Sequence, residues 1–172
     1  MARVRGDRVN DAPMWLPPVV RLTEFGGEWS QYIEAVYAYF KVDFIDSQPM
    51  YRDRRVLPRR EPMSDGKEAA FWHLVSEGEQ EDDRLPDLRR CERIRWPRPV
   101  IERCSVPEVK LWENERRGKK NVCMWLESPD YLVVLGVRNG YLVLLTAYPV
   151  EHHHRRRVLQ AEYEAYKANA AR

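Results

Sequence analysis

No apolar run in this sequence approaches the roughly 18 residues that a bilayer crossing needs, and its opening residues, MARVRGDRVND, lack the apolar stretch of a secretory signal. A membrane-spanning helix is not expected, and the reading places the chain in the cytoplasm. Cysteine is scarce. Cys91, Cys104 and Cys123 form an odd set without CxxC spacing, which argues against a disulfide framework and a cysteine zinc site alike. No P-loop, dinucleotide-binding glycine motif, HExxH or GxSxG occurs, so P-loop nucleotide hydrolysis and zinc peptidase chemistry have no footing. His152, His153 and His154 do not change this, because neighbouring residues of a helix project about 100° apart and cannot converge on one ion. No metal and no cofactor is expected.

Large net charge is absent too. The formal balance is +2, but it conceals segregation: acidic residues crowd positions 77–83, while arginines and lysines crowd other stretches. Such asymmetry points to a polyanionic partner on one face, or to a merely solvated surface. With 172 residues, 44% of them hydrophobic and 33% charged, the chain can bury one core of ordinary size, so one domain is expected.

The pattern divides the domain into three parts: an extended arm over residues 1–22, a mainly helical part over 23–104, and a β-meander with a closing helix over 105–172. Pro13, Pro17 and Pro18 prevent a helix in the arm, which docks through Trp15 and Leu16. Trp29, Tyr32, Ile33, Val36, Tyr37 and Phe40 recur at helical spacing and predict a helix over 23–41 whose aromatic stripe is core. Residues 46–62 read as a loop or short hairpin. Asp65 and Glu68 form a capping box for a helix through Phe71–Val75 that Gly78 ends. Pro86 opens a helix over 87–95, which Pro97 and Pro99 terminate.

Strands are predicted over 109–114, 122–127, 131–138 and 141–148. Asn139-Gly140 is a strong hairpin signal, read as a type I′ turn with positive φ at both positions. Residues 116–120 and Ser128-Pro129-Asp130 supply the other turns, and a helix from Glu151 carries Leu159, Tyr163, Tyr166 and Ala170 on one face. The fold class is therefore α+β: N-terminal helices, a four-stranded antiparallel meander and a C-terminal helix.

Counting outward from Asn139-Gly140 pairs Thr146 with Val133 and Tyr148 with Tyr131, which puts Tyr131, Thr146 and Tyr148 on one face. That group reads as a phosphate and base contact, or as an ordinary β surface of Thr and Tyr. His73 has the neutral-range pKa type suited to a general base or acid; a lone histidine in an apolar run also reads as a hydrogen-bonded core residue. Arg89, Arg90 and Arg93 beside Trp96 combine phosphate contact with base stacking. Arg155, Arg156 and Arg157 open the last helix, where the macrodipole disfavours cations, so a bound anion is the economical account.

Helices followed by such a meander, with a last strand reading Tyr-Leu-Val-Leu-Leu-Thr-Ala-Tyr-Pro-Val over residues 141–150, resemble the ribonuclease superfamily that joins barnase, EndoU, colicin D and RelE-like toxins. The resemblance runs from residue 100 onward, with a helical histidine upstream. It implies a metal-independent endoribonuclease, toxin- or phage-associated, with RNA as substrate and an inhibitor or other protein as a further partner. Residue by residue, it makes Thr146 a phosphate-contacting hydroxyl, Tyr148 its neighbour in the cleft, His73 the helical histidine, and Lys110 or Arg138 a basic strand residue. Cleavage through the 2′-hydroxyl needs a base, a group to steady the phosphorane and an acid, roles open to His73, an arginine and Thr146. Two other readings stand beside it: a non-catalytic RNA-binding or ribosome-associated module, and a protein-interaction domain that meets its partner through residues 77–83 or the aromatic helix.

Overall fold

A computed structural model describes residues 8–78 and 83–172. The start of the N-terminal arm and, within the acidic stretch, residues 79–82 lie outside the described residues. From Val9 onward the arm is tied down. Leu16, Val19 and Val20 are buried, and the carbonyls of Pro17 and Val20 accept hydrogen bonds from Trp96 Nε1 (2.9 Å) and Tyr32 Oη (2.8 Å).

The first helix, α1 (Trp29–Phe40), starts later than its pattern suggests. Gly26 and Gly27 both adopt left-handed φ, 62° and 77°, and separate it from a 3₁₀ turn at Leu22–Phe25. Tyr32, Ile33, Val36 and Phe40 are buried, as a core stripe should be. Residues 46–62 contain the hairpin, not a loop: β1 (Met50–Tyr51) and β2 (Arg54–Pro58) pair antiparallel around Arg52 and Asp53, whose φ values of 46° and 63° fit a type I′ turn. Asp65 does not cap α2 (Ala69–Val75). It sits at φ 50° in a turn closed between Ser64 and Lys67, and Glu68 occupies the cap position. The helix ends at Ser76, where β3 (Ser76–Glu77) begins and pairs with β4 (Leu85–Pro86), so Gly78 is not its terminator.

Asp87 caps α3 (Leu88–Glu92) by accepting from the Arg90 backbone N–H at 3.2 Å. Pro97 reverses its expected role and opens α4 (Pro97–Glu102), because a first-turn position does not use the missing N–H. The meander follows as β5 (Val109–Arg116), β6 (Lys119–Leu126), β7 (Tyr131–Val137) and β8 (Leu142–Pro149), and α5 (His153–Ala170) closes the chain.

The expectation of four strands is corrected to six. The sheet order is β1-β2-β8-β7-β6-β5, because β2 pairs parallel with β8 through Val56–Leu142, Leu57–Val143 and Pro58–Leu144. Two apolar clusters cover its two faces. Val122, Met124, Val133, Leu135, Leu142 and Leu144 face the layer of helices α1 to α4, whereas Trp112, Cys123, Trp125 and Leu132 face Leu159 of α5.

Two details of the β7–β8 hairpin differ from the sequence reading. Only Gly140 takes a positive φ (82°), so the turn is not type I′; Arg117-Gly118, with φ of 52° and 71°, has that signature instead. A register shift after Leu135–Leu144 makes Leu145 an extra residue and sets Thr146 against Val134, Tyr148 against Leu132 and Tyr131 against Pro149. Thr146 and Tyr148 therefore lie on the α5 side and Tyr131 on the opposite face, contrary to the shared face that unbroken counting gives.

Candidate nucleic-acid interface

Tyr148 is the penultimate residue of β8, where Arg90 of α3 and Arg155 of α5 both reach it. The Arg90 guanidinium stands 5.1 Å from its ring centroid, and Arg155 Nε donates to its hydroxyl at 3.1 Å. Three residues singled out in the sequence, Arg90, Tyr148 and Arg155, thus meet around a cleft of about 90 Å³. Its chemistry is not that of an anion site. Glu77, Asp87 and Glu151 line it as well, so carboxylates outnumber guanidinium groups. Arg89 pairs with Glu151, and Arg156 Nε sits 3.1 Å from Asp130, whose other oxygen accepts from Trp125 Nε1 at 3.2 Å. Arg155 and Arg156 are thereby held in the first turns of α5 by internal partners, an alternative for these two to the bound anion that the macrodipole suggests, whereas Arg157 is exposed.

Three further candidates are interior. Trp96 is 1% exposed and Tyr131 2%, and the two rings pack edge-to-face with centroids 5.3 Å apart. Neither offers a face to a base. Burial also pushes the Tyr131 phenol well above its ordinary range, with Arg93 and Arg90 opposing that rise. Arg93 is 4% exposed; it donates to the Arg89 carbonyl at 3.0 Å and lies over Trp96. Lys110 is also structural: it bridges Glu127 (2.8 Å) and Gln160 (2.7 Å) beside the Trp125 and Tyr163 rings, joining β5 and β6 to α5.

Arg138 and Thr146 have a different setting. Alternation from Leu132 and Val134 puts Gly136 and Arg138 on the α5 side of the sheet, and pairing puts Val143, Thr146 and Leu57 there too. Leu57, Val143 and Leu145 are half-buried and belong to neither apolar cluster, so α5 does not cover this part of the face. Arg138 lies flat on it, its Nη1 donating to the Val137 carbonyl at 3.0 Å. The neighbouring strand adds Arg55, which shares the face of Leu57 while Arg54 shares that of buried Val56, and Arg59 and Arg60 follow just beyond its end. None of β2, β7 and β8 contains an aspartate or glutamate. Residues 52–60 carry no site expectation in the sequence because the prolines around them suggest a loop or a short hairpin, although their density of arginines is in plain view.

His73 lies elsewhere. It is on α2 and lines a cavity of about 350 Å³ together with Trp72, Asp65, Ser64, Pro62 and Pro86, none of which is on β8. Thr146 and Tyr148 do not line that cavity. Arg84 Nη1 donates to the carbonyls of His73 (3.4 Å) and Ser76 (3.2 Å), fastening the helix end to the β3–β4 ribbon. Among the described residues, no group of three or more His, Cys, Asp or Glu side chains is placed to hold a metal ion. No helix among them is long and apolar enough to cross a membrane.

No protein-family model, curated protein or solved structure matches the chain.

Proposed function

We propose that this chain is a non-catalytic module that binds single-stranded RNA on the uncovered part of its sheet. The observation that carries the reading is the charge of that surface: β2, β7 and β8 contain no carboxylate, while Arg55 and Arg138 stand on it and Arg60 beside it. Phosphates supply the matching charge, and release of their counterions supplies most of the affinity. Leu57, Val143 and Leu145, together with Tyr141 at the hairpin tip, give unstacked bases an apolar surface between the guanidinium groups. Duplex nucleic acid hides its bases and would not use that surface.

A labelled oligonucleotide titrated at two salt concentrations tests this. Binding at low salt that weakens steeply at moderate salt is expected, and a duplex of equal length should bind more weakly.

A second reading, metal-independent cleavage of RNA, is favoured by one observation, that His73 lines a cavity of about 350 Å³. Against it, Thr146 and Tyr148 line no part of that cavity, so the base and the phosphate-steadying hydroxyl have no common reaction centre. Incubation of the protein with RNA in excess EDTA separates the two readings: intact RNA supports binding alone, whereas cleavage lost in His73→Ala supports catalysis.

A further inference from the structure

We propose that the His73 cavity receives a single nucleobase that carries an exocyclic amino group, an inference that rests on the RNA-binding reading and adds a base-specific pocket to it. The walls are of the kind that a flat heterocycle needs. Trp72 is held by its indole N–H, which donates to the Ser64 carbonyl at 2.8 Å, and by edge-on packing against Phe71 with centroids 5.1 Å apart. Pro62 and Pro86 supply further flat apolar wall. At about 350 Å³ the space is at the small end of ligand sites, which typically span roughly 300–1,000 Å³.

The polar groups define which edge of a base fits. The Asp65 carboxylate only accepts hydrogen bonds, the Ser64 and Ser76 hydroxyls both donate and accept, and the His73 imidazole does either according to tautomer, while Arg84, which also lines the space, has its Nη1 engaged by the His73 and Ser76 carbonyls. An amino group beside a ring nitrogen, as in adenine, cytosine or guanine, offers a donor to Asp65; uracil presents a carbonyl there and is disfavoured. Position links the pocket to the RNA surface. The arginines that follow β2 lead straight into its wall: Arg59 and Arg60 precede Pro62 and Ser64, and their carbonyls accept from the Ala70 and Ala69 N–H groups at 2.9 and 3.0 Å at the start of α2. Because α2 packs on the helix side of the sheet, an RNA strand lying on the α5 side has to pass around this arginine run at the end of β2 for one of its bases to enter the cavity.

The test uses the full chain with each of the four nucleoside 5′-monophosphates and, separately, with single-stranded RNA homopolymers. Chemical shifts of the Trp72 indole N–H and the His73 ring report the pocket. Adenosine, cytidine or guanosine monophosphate should shift both signals saturably, with uridine monophosphate at least about fivefold weaker; Asp65→Asn and His73→Ala should each remove that discrimination while salt-dependent RNA binding persists. If RNA binds but no mononucleotide moves these signals and the homopolymers bind alike, the pocket assignment is overturned and the RNA reading survives. If mononucleotides bind and RNA does not, the pocket stands as a site for free nucleotides and the RNA reading fails.

Discussion

The Arg138 guanidinium lies against Gly136: a β-carbon at Gly136 would come within 2.9 Å of Arg138 Nη1 and 3.2 Å of Leu145 Cδ1. The missing side chain thus lets a cation lie flat on the sheet. Both atoms in the way are ends of side chains, so Gly136→Ala should fold with a melting temperature close to wild type while displacing the guanidinium. Its affinity for single-stranded RNA should fall several-fold, measurable by fluorescence anisotropy alongside a thermal melt.

Asp130 joins Trp125 and Arg156 beneath α5, and its side chain is only 10% exposed. Asp130→Ala leaves a buried indole N–H and a poorly hydrated guanidinium without this acceptor, a loss that costs about 2–4 kcal/mol. Urea unfolding should show that drop without altered RNA affinity after correction for the unfolded fraction, since the pair belongs to the covered part of the sheet.

Burial pushes the thiols of Cys91 and Cys123 up to about 12, with nearby carboxylates adding to the effect, whereas Cys104 is raised less and is half-exposed. The thiolate is the reactive form. One thiol should therefore react with a disulfide reagent at pH 8 in the native protein, and the remaining two only on unfolding. Rapid reaction of all three without denaturant would show that the two buried positions open readily.

The meander, its hairpin at Asn139-Gly140 and the closing helix were legible because alternation, turn residues and helical spacing are local signals. The parallel pairing of β2 with β8 was not, since Val56 and Leu142 meet only through tertiary packing. Nor was the shift at Leu145, which moves Thr146 one position along β7 and separates it from the face of Tyr131. Trp96 shows the limit for sites: a tryptophan among arginines suits base stacking in sequence, yet here it closes the core against Tyr131, and the same composition describes both roles.

Asp43 is held above the usual carboxylate range by burial, with Arg98 and Arg95 pulling it back down. The folded state therefore favours the protonated carboxyl. Its contribution to stability is full below the unfolded pKa and is lost as pH rises through the folded value. Asp43→Asn should accordingly raise the urea midpoint at pH 7 relative to wild type, with a smaller gain near pH 4. A gain that is larger at pH 4 would give the shift the opposite sign.

The most direct test of the proposed role compares wild type with the triple variant Arg55→Glu, Arg60→Glu, Arg138→Glu for binding of single-stranded RNA across a salt series. Each phosphate contact contributes about 0.7 to the slope of log affinity against log salt on a single strand. The account predicts salt-sensitive binding by wild type, and in the variant an affinity at least about tenfold weaker with a visibly shallower slope. Equal affinity and slope in the two proteins, or no binding by wild type at low salt, would contradict it.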